Sequence, residues 1–202
     1  MPRQTRHIEP NGFYHVISQS VNQTWVFRDR TDFACFRGLV KEAKERFPVQ
    51  LYHYVFMNTH FHFVLQAVAK NVLSRHLSFV KWNYTLWMRR KYGWRGPLWR
   101  ERFKSLLIAN EVYLAACGLY VEYNPVKAGL CHEATDYPYS SARKYFKGEP
   151  DDLVDEYSVP TLPIGLQDLA KQPVVSDAFF SRCSVIGRKG EKGDSHLGDC
   201  HL

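Results

Sequence analysis

Apolar residues recur with two different periods along this chain. Phe13 to Ser18 roughly alternates apolar and polar residues, the pattern of a half-buried strand. From Thr31-Asp32, either of which can serve as a cap, Phe33, Phe36, Val40 and Ala43 recur at helical spacing, and Pro48 stops the run. Leu51 to Met57 is rich in aromatics and predicts a strand, Asn58-Thr59 a turn, and His60 to Val68 a third segment, so 51–68 reads as a hairpin. Residues 71–91 predict a second helix, with Leu73, Leu77, Val80, Tyr84 and Trp87 on one stripe and Arg75, Lys81, Arg89 and Arg90 largely off it. Gly93 and Gly96-Pro97 break the chain, Trp99 to Ile108 predicts a fourth strand, and Glu111 to about Tyr123 a third helix. Pro125 is expected to end that helix, because proline disfavours helical backbone at the residue before it. The order β-α-β-β-α-β-α predicts an α+β fold, a ferredoxin-like (split βαβ) antiparallel sheet with helices packed on one face.

Length and composition narrow the picture. The 202 residues form one ordinary domain with an extension, long enough to bury a core without disulfides. No apolar run reaches the roughly 18 residues of a membrane span, and the opening residues have no apolar core, so neither a membrane protein nor a secretory signal is expected. The five cysteines form no CxxC pair and read as reduced thiols of a cytoplasmic protein.

Charge divides the chain. Residues 151–202 carry five Lys/Arg and nine Asp/Glu, against 22 and 11 in residues 1–150. The division predicts a domain over 1–150 and an acidic extension over 151–202. The extension has a weak apolar cluster at Ala178-Phe179-Phe180, and 187–199 is too polar and glycine-rich to pack. No acidic residue occurs between Glu45 and Glu101, a stretch that holds Arg75, Lys81, Arg89, Arg90 and Arg95. A field of one sign attracts polyanions. Trp82, Trp87, Trp94 and Trp99 interleave with these cations, and exposed aromatics stack on unpaired bases. About half of the four are expected in the core. Arg102 and Lys104 extend the basic run, and Arg3, Arg6 and His7 form a short basic arm.

Two groupings carry chemistry. In His60-Phe61-His62, residues two apart on a strand face one way, about 7 Å apart at the backbone, while Phe61 and Phe63 face the core. Two neutral imidazoles so placed can converge on a divalent metal; the same pair can equally be two histidines on a polar sheet face. In residues 119–129, Tyr120 and Asn124 lie one helical turn apart, so a phenol and an amide oxygen share a face and can supply a nucleophile and a third ligand. Tyr113 and Tyr123 are alternative nucleophiles.

Together these pieces resemble the HUH single-tyrosine, IS200-like transposases, and within them the REP-associated tyrosine transposases. The resemblance spans roughly residues 8–148. It rests on His60-Phe61-His62, on Gly96 to Lys104, on Tyr120 to Gly129, and on Tyr137-Pro138-Tyr139-Ser140-Ser141. Met57-Asn58-Thr59 stands where the family usually has Met-Pro-Asn, and Tyr139 where tryptophan is common. The resemblance implies that His60, His62 and Asn124 hold a divalent metal, magnesium with manganese possible, and that Tyr120 is the nucleophile. It implies single-stranded DNA beside a hairpin as substrate, a 5′-phosphotyrosine intermediate, and a monomer or homodimer in the cytoplasm, associated with the nucleoid. Arg3, Arg6, Arg75, Lys81, Arg89, Arg90, Arg95, Arg102 and Lys104 are the expected DNA contacts, the basic arm reading bases at the hairpin foot. The rival is a non-catalytic nucleic-acid-binding domain with an RNA-recognition-like fold, although the glycine-rich aromatic signature of such modules is missing. A zinc site built on Cys131-His132 lacks a recognised spacing.

Overall fold

The computed structural model describes residues 8–156. The basic arm, the 178–180 cluster and the 187–199 segment lie outside the described residues.

Four strands, β1 (Phe13–Gln19), β2 (Val49–Met57), β3 (His60–Ala67) and β4 (Lys104–Ile108), form one sheet in the order β2-β3-β1-β4. All neighbouring pairs are antiparallel. The helices are α1 (Arg30–Arg46), α2 (Val72–Tyr92), α3 (Glu111–Lys127) and a short α4 (Ala142–Lys147). The expected β-α-β-β-α-β-α order is therefore present, with the hairpin turning at Asn58-Thr59.

The expectation of helices on one face is corrected. Side chains of α1 (Phe33, Phe36, Val40, Ala43) and α2 (Leu73, Leu77, Val80, Tyr84, Met88) share one core with Val16, Phe56, Phe61, Phe63 and Leu65. On the other face Val55, Met57 and Val64 pack with Leu114, Cys117, Tyr120 and Val121 of α3. The reason lies in β2 and β3, whose interior residues are buried on both sides, so one layer of helices cannot cover them.

Three local boundaries also differ. Helix α1 is capped by Asp29, whose carboxylate accepts from the Thr31 and Asp32 amides, while Asp32 accepts back from the Asp29 amide. Neither Thr31 nor Asp32 is the cap; Asp32 is the returning partner of a capping box. Strand β4 starts at Lys104, and Trp99 contributes only an isolated bridge to Ser20. Helix α3 runs through Pro125 and stops near Gly129, whose φ of 69° ends helices at little steric cost. The proline removes one backbone donor, but Pro125 is itself buried and follows the buried turn Tyr120-Val121-Glu122, so packing of the helix outweighs that local preference.

Beyond Gly148 the chain returns to the body. Leu153 and Val154 are buried in the first core, and Asp155 bonds to both the amide and the carbonyl of Leu51. Asp151 and Asp152 pair with Arg37 and Lys41 of α1.

Candidate active site

The period of two on β3 separates its side chains as expected. Phe61 and Phe63 are fully buried among aromatic rings, and His60 and His62 face α3, their ring centroids 5.0 Å apart. A third imidazole joins them. His15 of β1, fully buried, lies 2.9 Å through Nε2 from Nδ1 of His62, the rings stacked at 5.2 Å. One ring donates and the other accepts; with His62 Nδ1–H as the donor, its Nε2 is left unprotonated and able to ligate. That is how metal-ligating histidines are usually oriented. The Nδ1 of His60 lies 3.0 Å from the Thr59 hydroxyl.

Burial keeps all three rings neutral. It lowers His60 to about 4 and His15 to about 3, and pushes His62 well below its ordinary value, with His15 and His60 adding to the effect. Neutral imidazole is the form that binds a metal.

Helix α3 closes this face. Asn110 caps it by accepting from the Tyr113 amide. Tyr120 is buried, and its ring meets His15 and His62 edge-on, each at 5.9 Å between centroids. The Lys127 ammonium lies 4.6 Å over the same ring. Tyr113 is exposed, and Tyr123 faces Phe146 of α4. Of the three candidate tyrosines, Tyr120 is the one seen edge-on to both His15 and His62. Asn124 is half-buried one turn on; its Nδ2 donates to the Tyr120 carbonyl at 2.8 Å. That bond orients the amide and leaves Oδ1 as the atom able to ligate. Two imidazoles and an amide oxygen are a donor set compatible with a divalent cation that keeps open positions. Among the described residues no three His, Cys, Asp or Glu side chains are grouped so as to hold a metal ion by themselves, so a metal at His60 and His62 would draw its third protein donor from another residue type, such as Asn124. Among the described residues, Cys131 and His132 are not part of a metal-holding group.

A buried polar clamp holds α3 on the sheet. His53 of β2 contacts Glu122 through Nδ1 at 2.8 Å, Tyr145 stacks on the imidazole at 4.4 Å, and the Ser141 hydroxyl donates to Glu122 at 3.3 Å. The ring sits where a side chain at position 118 would be: a Cβ on Gly118 would come within 2.5 Å of it. A register shift between Leu51 and His53 makes this possible. Leu51 belongs to the first core and His53, two residues on, faces α3, which uninterrupted alternation forbids.

The expected DNA contacts are spread over the α2 side. Arg89, Arg90, Arg95 and Arg102 are exposed. Arg75 lies over the Phe47 ring, Lys81 over Trp99, and Lys104 is 3.6 Å from Glu101. Lys91 is committed elsewhere, to Asp29 and Asp32. Of the four tryptophans, Trp82 alone is largely exposed, at 62%; Trp87, Trp94 and Trp99 pack against the first core. Trp82 lines an open cleft of about 830 Å³ with Arg75, Phe79, Lys81 and Arg102.

His15, His53, Gly118 and Glu122 were missed in the sequence. A single histidine in an apolar strand has no spacing partner to mark it. Glu122 did carry a signal, being an acid on the buried side of a helix.

The chain matches the family of IS200-like transposases over residues 10–124. It is 27% identical over 154 residues to a Haemophilus influenzae protein described as a REP-associated tyrosine transposase, covering 69% of this chain and 85% of that one. A solved structure of a REP-associated tyrosine transposase bound to a REP hairpin is similar with a TM-score of 0.61 at 20% identity, over 81% of this chain and 99% of the other. That second likeness speaks for the fold. The family match covers more than half of the sequence and includes His60, His62, Tyr120 and Asn124, so the chain belongs to the IS200-like transposase family, a family of DNA-cleaving enzymes.

Proposed function

We propose that this chain is a metal-dependent single-stranded DNA endonuclease and strand transferase acting beside REP-type hairpins through a 5′-phosphotyrosine. The observation that carries the reading is the Tyr120 ring edge-on to His62, in a buried polar site whose imidazoles are held neutral. The REP hairpin in the similar solved structure supports the substrate class.

Tyr120 attacks a backbone phosphorus. The bond from its phenolic oxygen to phosphorus forms as the bond to the 3′ oxygen breaks, the phenol gives up its proton, and the leaving 3′ oxygen gains one. Attack of a 3′-OH on the phosphotyrosine reverses each change and rejoins the strand without ATP. His60, His62 and Asn124 would hold magnesium, or manganese, and the chemistry such an ion would supply there is polarisation and charge neutralisation of the scissile phosphate. His15, by accepting from His62 Nδ1–H, would leave His62 Nε2 free to ligate, and Lys127 sets a cation on the tyrosine ring. Arg75, Lys81, Arg89, Arg90, Arg95, Arg102 and Lys104 hold the strand by its phosphates, and Trp82 offers a stacking face. Arg3 and Arg6 are proposed to reach the bases at the hairpin foot.

Cleavage of a single-stranded hairpin oligonucleotide tests the metal. It should stop in excess chelator, return with magnesium or manganese, and be lost in both His60→Ala and His62→Ala. Full cleavage in chelator contradicts the metal-dependent reading.

A further inference from the structure

A second polar site adjoins the histidines, in the loop that follows β1. Gln19, Ser20, Asn22, Gln23 and Arg100 line a cleft of about 400 Å³. Gln19 is the register partner of His60. Residues opposite each other in an antiparallel pair share a face, so the Gln19 and His60 side chains leave the sheet on the same side. One wall residue of the cleft, Gln19, is thus the strand neighbour of a proposed metal ligand.

Its walls are held by backbone. Ser20 N–H donates to the Thr59 carbonyl at 2.9 Å, Val21 N–H to Leu98 at 2.9 Å, and Arg100 N–H to Gln19 at 3.0 Å. The Ser20 hydroxyl donates to the Thr24 carbonyl at 2.7 Å. Between these anchors Asn22 and Gln23 both adopt left-handed backbone, with φ of 49° and 52°. Two consecutive non-glycine residues rarely do so, and such conformations persist where the surroundings enforce them. The result is a fixed loop that presents two carboxamides to solvent, opposite the Arg100 guanidinium. Among the described residues, the side chains of Gln19, Asn22, Gln23 and Arg100 have no recorded hydrogen bond within the chain.

Carboxamides pair with the N6/N7 edge of adenine, and guanidinium with the O6/N7 edge of guanine. Single strands expose those edges on bases turned out of the stack. We infer that this cleft binds one unpaired purine of the DNA strand next to the scissile phosphate, and so sets where the strand is cut. The inference rests on the nuclease reading above and adds a reader that is distinct from the phosphate contacts along α2.

The test uses single-stranded oligonucleotides in which each base flanking the cut is changed in turn from purine to pyrimidine. Cleavage is followed with the wild type, and equilibrium binding with Tyr120→Phe. One flanking position should show a purine preference of roughly tenfold or more, the scale of a good bidentate contact. Asn22→Gly and Gln23→Gly keep the left-handed backbone while removing the carboxamides, so the loop should hold its shape. Each of these, and Arg100→Ala, should bring the purine oligonucleotide down toward the pyrimidine one. Wild-type cleavage with no purine preference, or a preference that survives all three substitutions, overturns the cleft and leaves the nuclease reading standing. Absence of cleavage with any oligonucleotide overturns the nuclease reading; a purine preference in binding that Asn22→Gly removes then still supports the cleft.

Discussion

The two faces of β3 are built from alternate residues of one strand and do different work. Phe61 and Phe63 enter an aromatic core with Phe27, Phe36 and Phe56, closed by α1 and α2. His60 and His62 meet Tyr120, closed by α3. The first face is apolar and tolerates no void. The second is polar and buried, so each group needs a partner, and those partners are His15, Thr59 and the groups of α3. Stability should therefore fall most when Phe61 or Phe63 is replaced on the first face, and cleavage when His60 or His62 is replaced on the second.

The largest expected effect comes from neighbours in sequence. Phe61→Ala should lose about 3–5 kcal/mol in denaturant unfolding, the usual result for a fully buried phenylalanine. His60→Ala, half-buried, should change stability by less than about 1 kcal/mol and abolish cleavage. If His60→Ala is as destabilising as Phe61→Ala, the faces do not divide as described.

Gly118→Ala probes how the second face is closed. The added Cβ meets the His53 ring, and Glu122 and Tyr145 leave that ring little room to move. A loss of about 1–3 kcal/mol is expected, with cleavage falling as α3 shifts against the histidines. A neutral result would show that the clamp does not set the position of α3.

The outer side of α2 belongs to neither face and should respond to salt. On a single strand, log affinity should fall against log salt with a slope of about −0.7 per phosphate contacted. With four to six cations engaged the slope is roughly −3 to −4, and Arg89→Ala with Arg90→Ala should flatten it by about one. A slope near zero would place the DNA elsewhere.

The smallest effect concerns the return of the chain to α1. Lys41, and then Arg37, lower the Asp152 carboxyl to about 2. A lowered carboxyl adds stability above its ordinary value near 4 and loses it as the pH falls toward 2. The pair is more than half exposed, so Asp152→Asn should cost well under about 1 kcal/mol at pH 7, and less still near pH 2. Melting curves at the two pH values check the sign.

How much of this was legible in the sequence followed from the range of each cause. The i, i+2 histidines and the apolar stripe of α2 are short-range patterns, and their faces came out as read. The continuation of α3 through Pro125 was not, because burial against a distant sheet overrides a one-residue rule. The Asp29 cap was readable in principle, since Asp29 and Asp32 have the spacing of a capping box. The second helical layer and the meeting of His15 with His62 depend on strand register, which β1 and β3 acquire only on pairing across 47 positions. Chemistry at Tyr120 was open at the sequence level among three tyrosines, and the edge-on contacts of its ring with His15 and His62 now favour it.

The most direct test of the central claim is to trap the covalent intermediate. The wild type and the Tyr113→Phe, Tyr120→Phe and Tyr123→Phe variants are incubated with a labelled single-stranded hairpin oligonucleotide and a divalent metal, then run on a denaturing gel. Wild type, Tyr113→Phe and Tyr123→Phe should each give a protein–DNA adduct. Tyr120→Phe should give none while keeping its affinity for the oligonucleotide and its melting temperature. An adduct of wild-type yield with Tyr120→Phe would contradict the account.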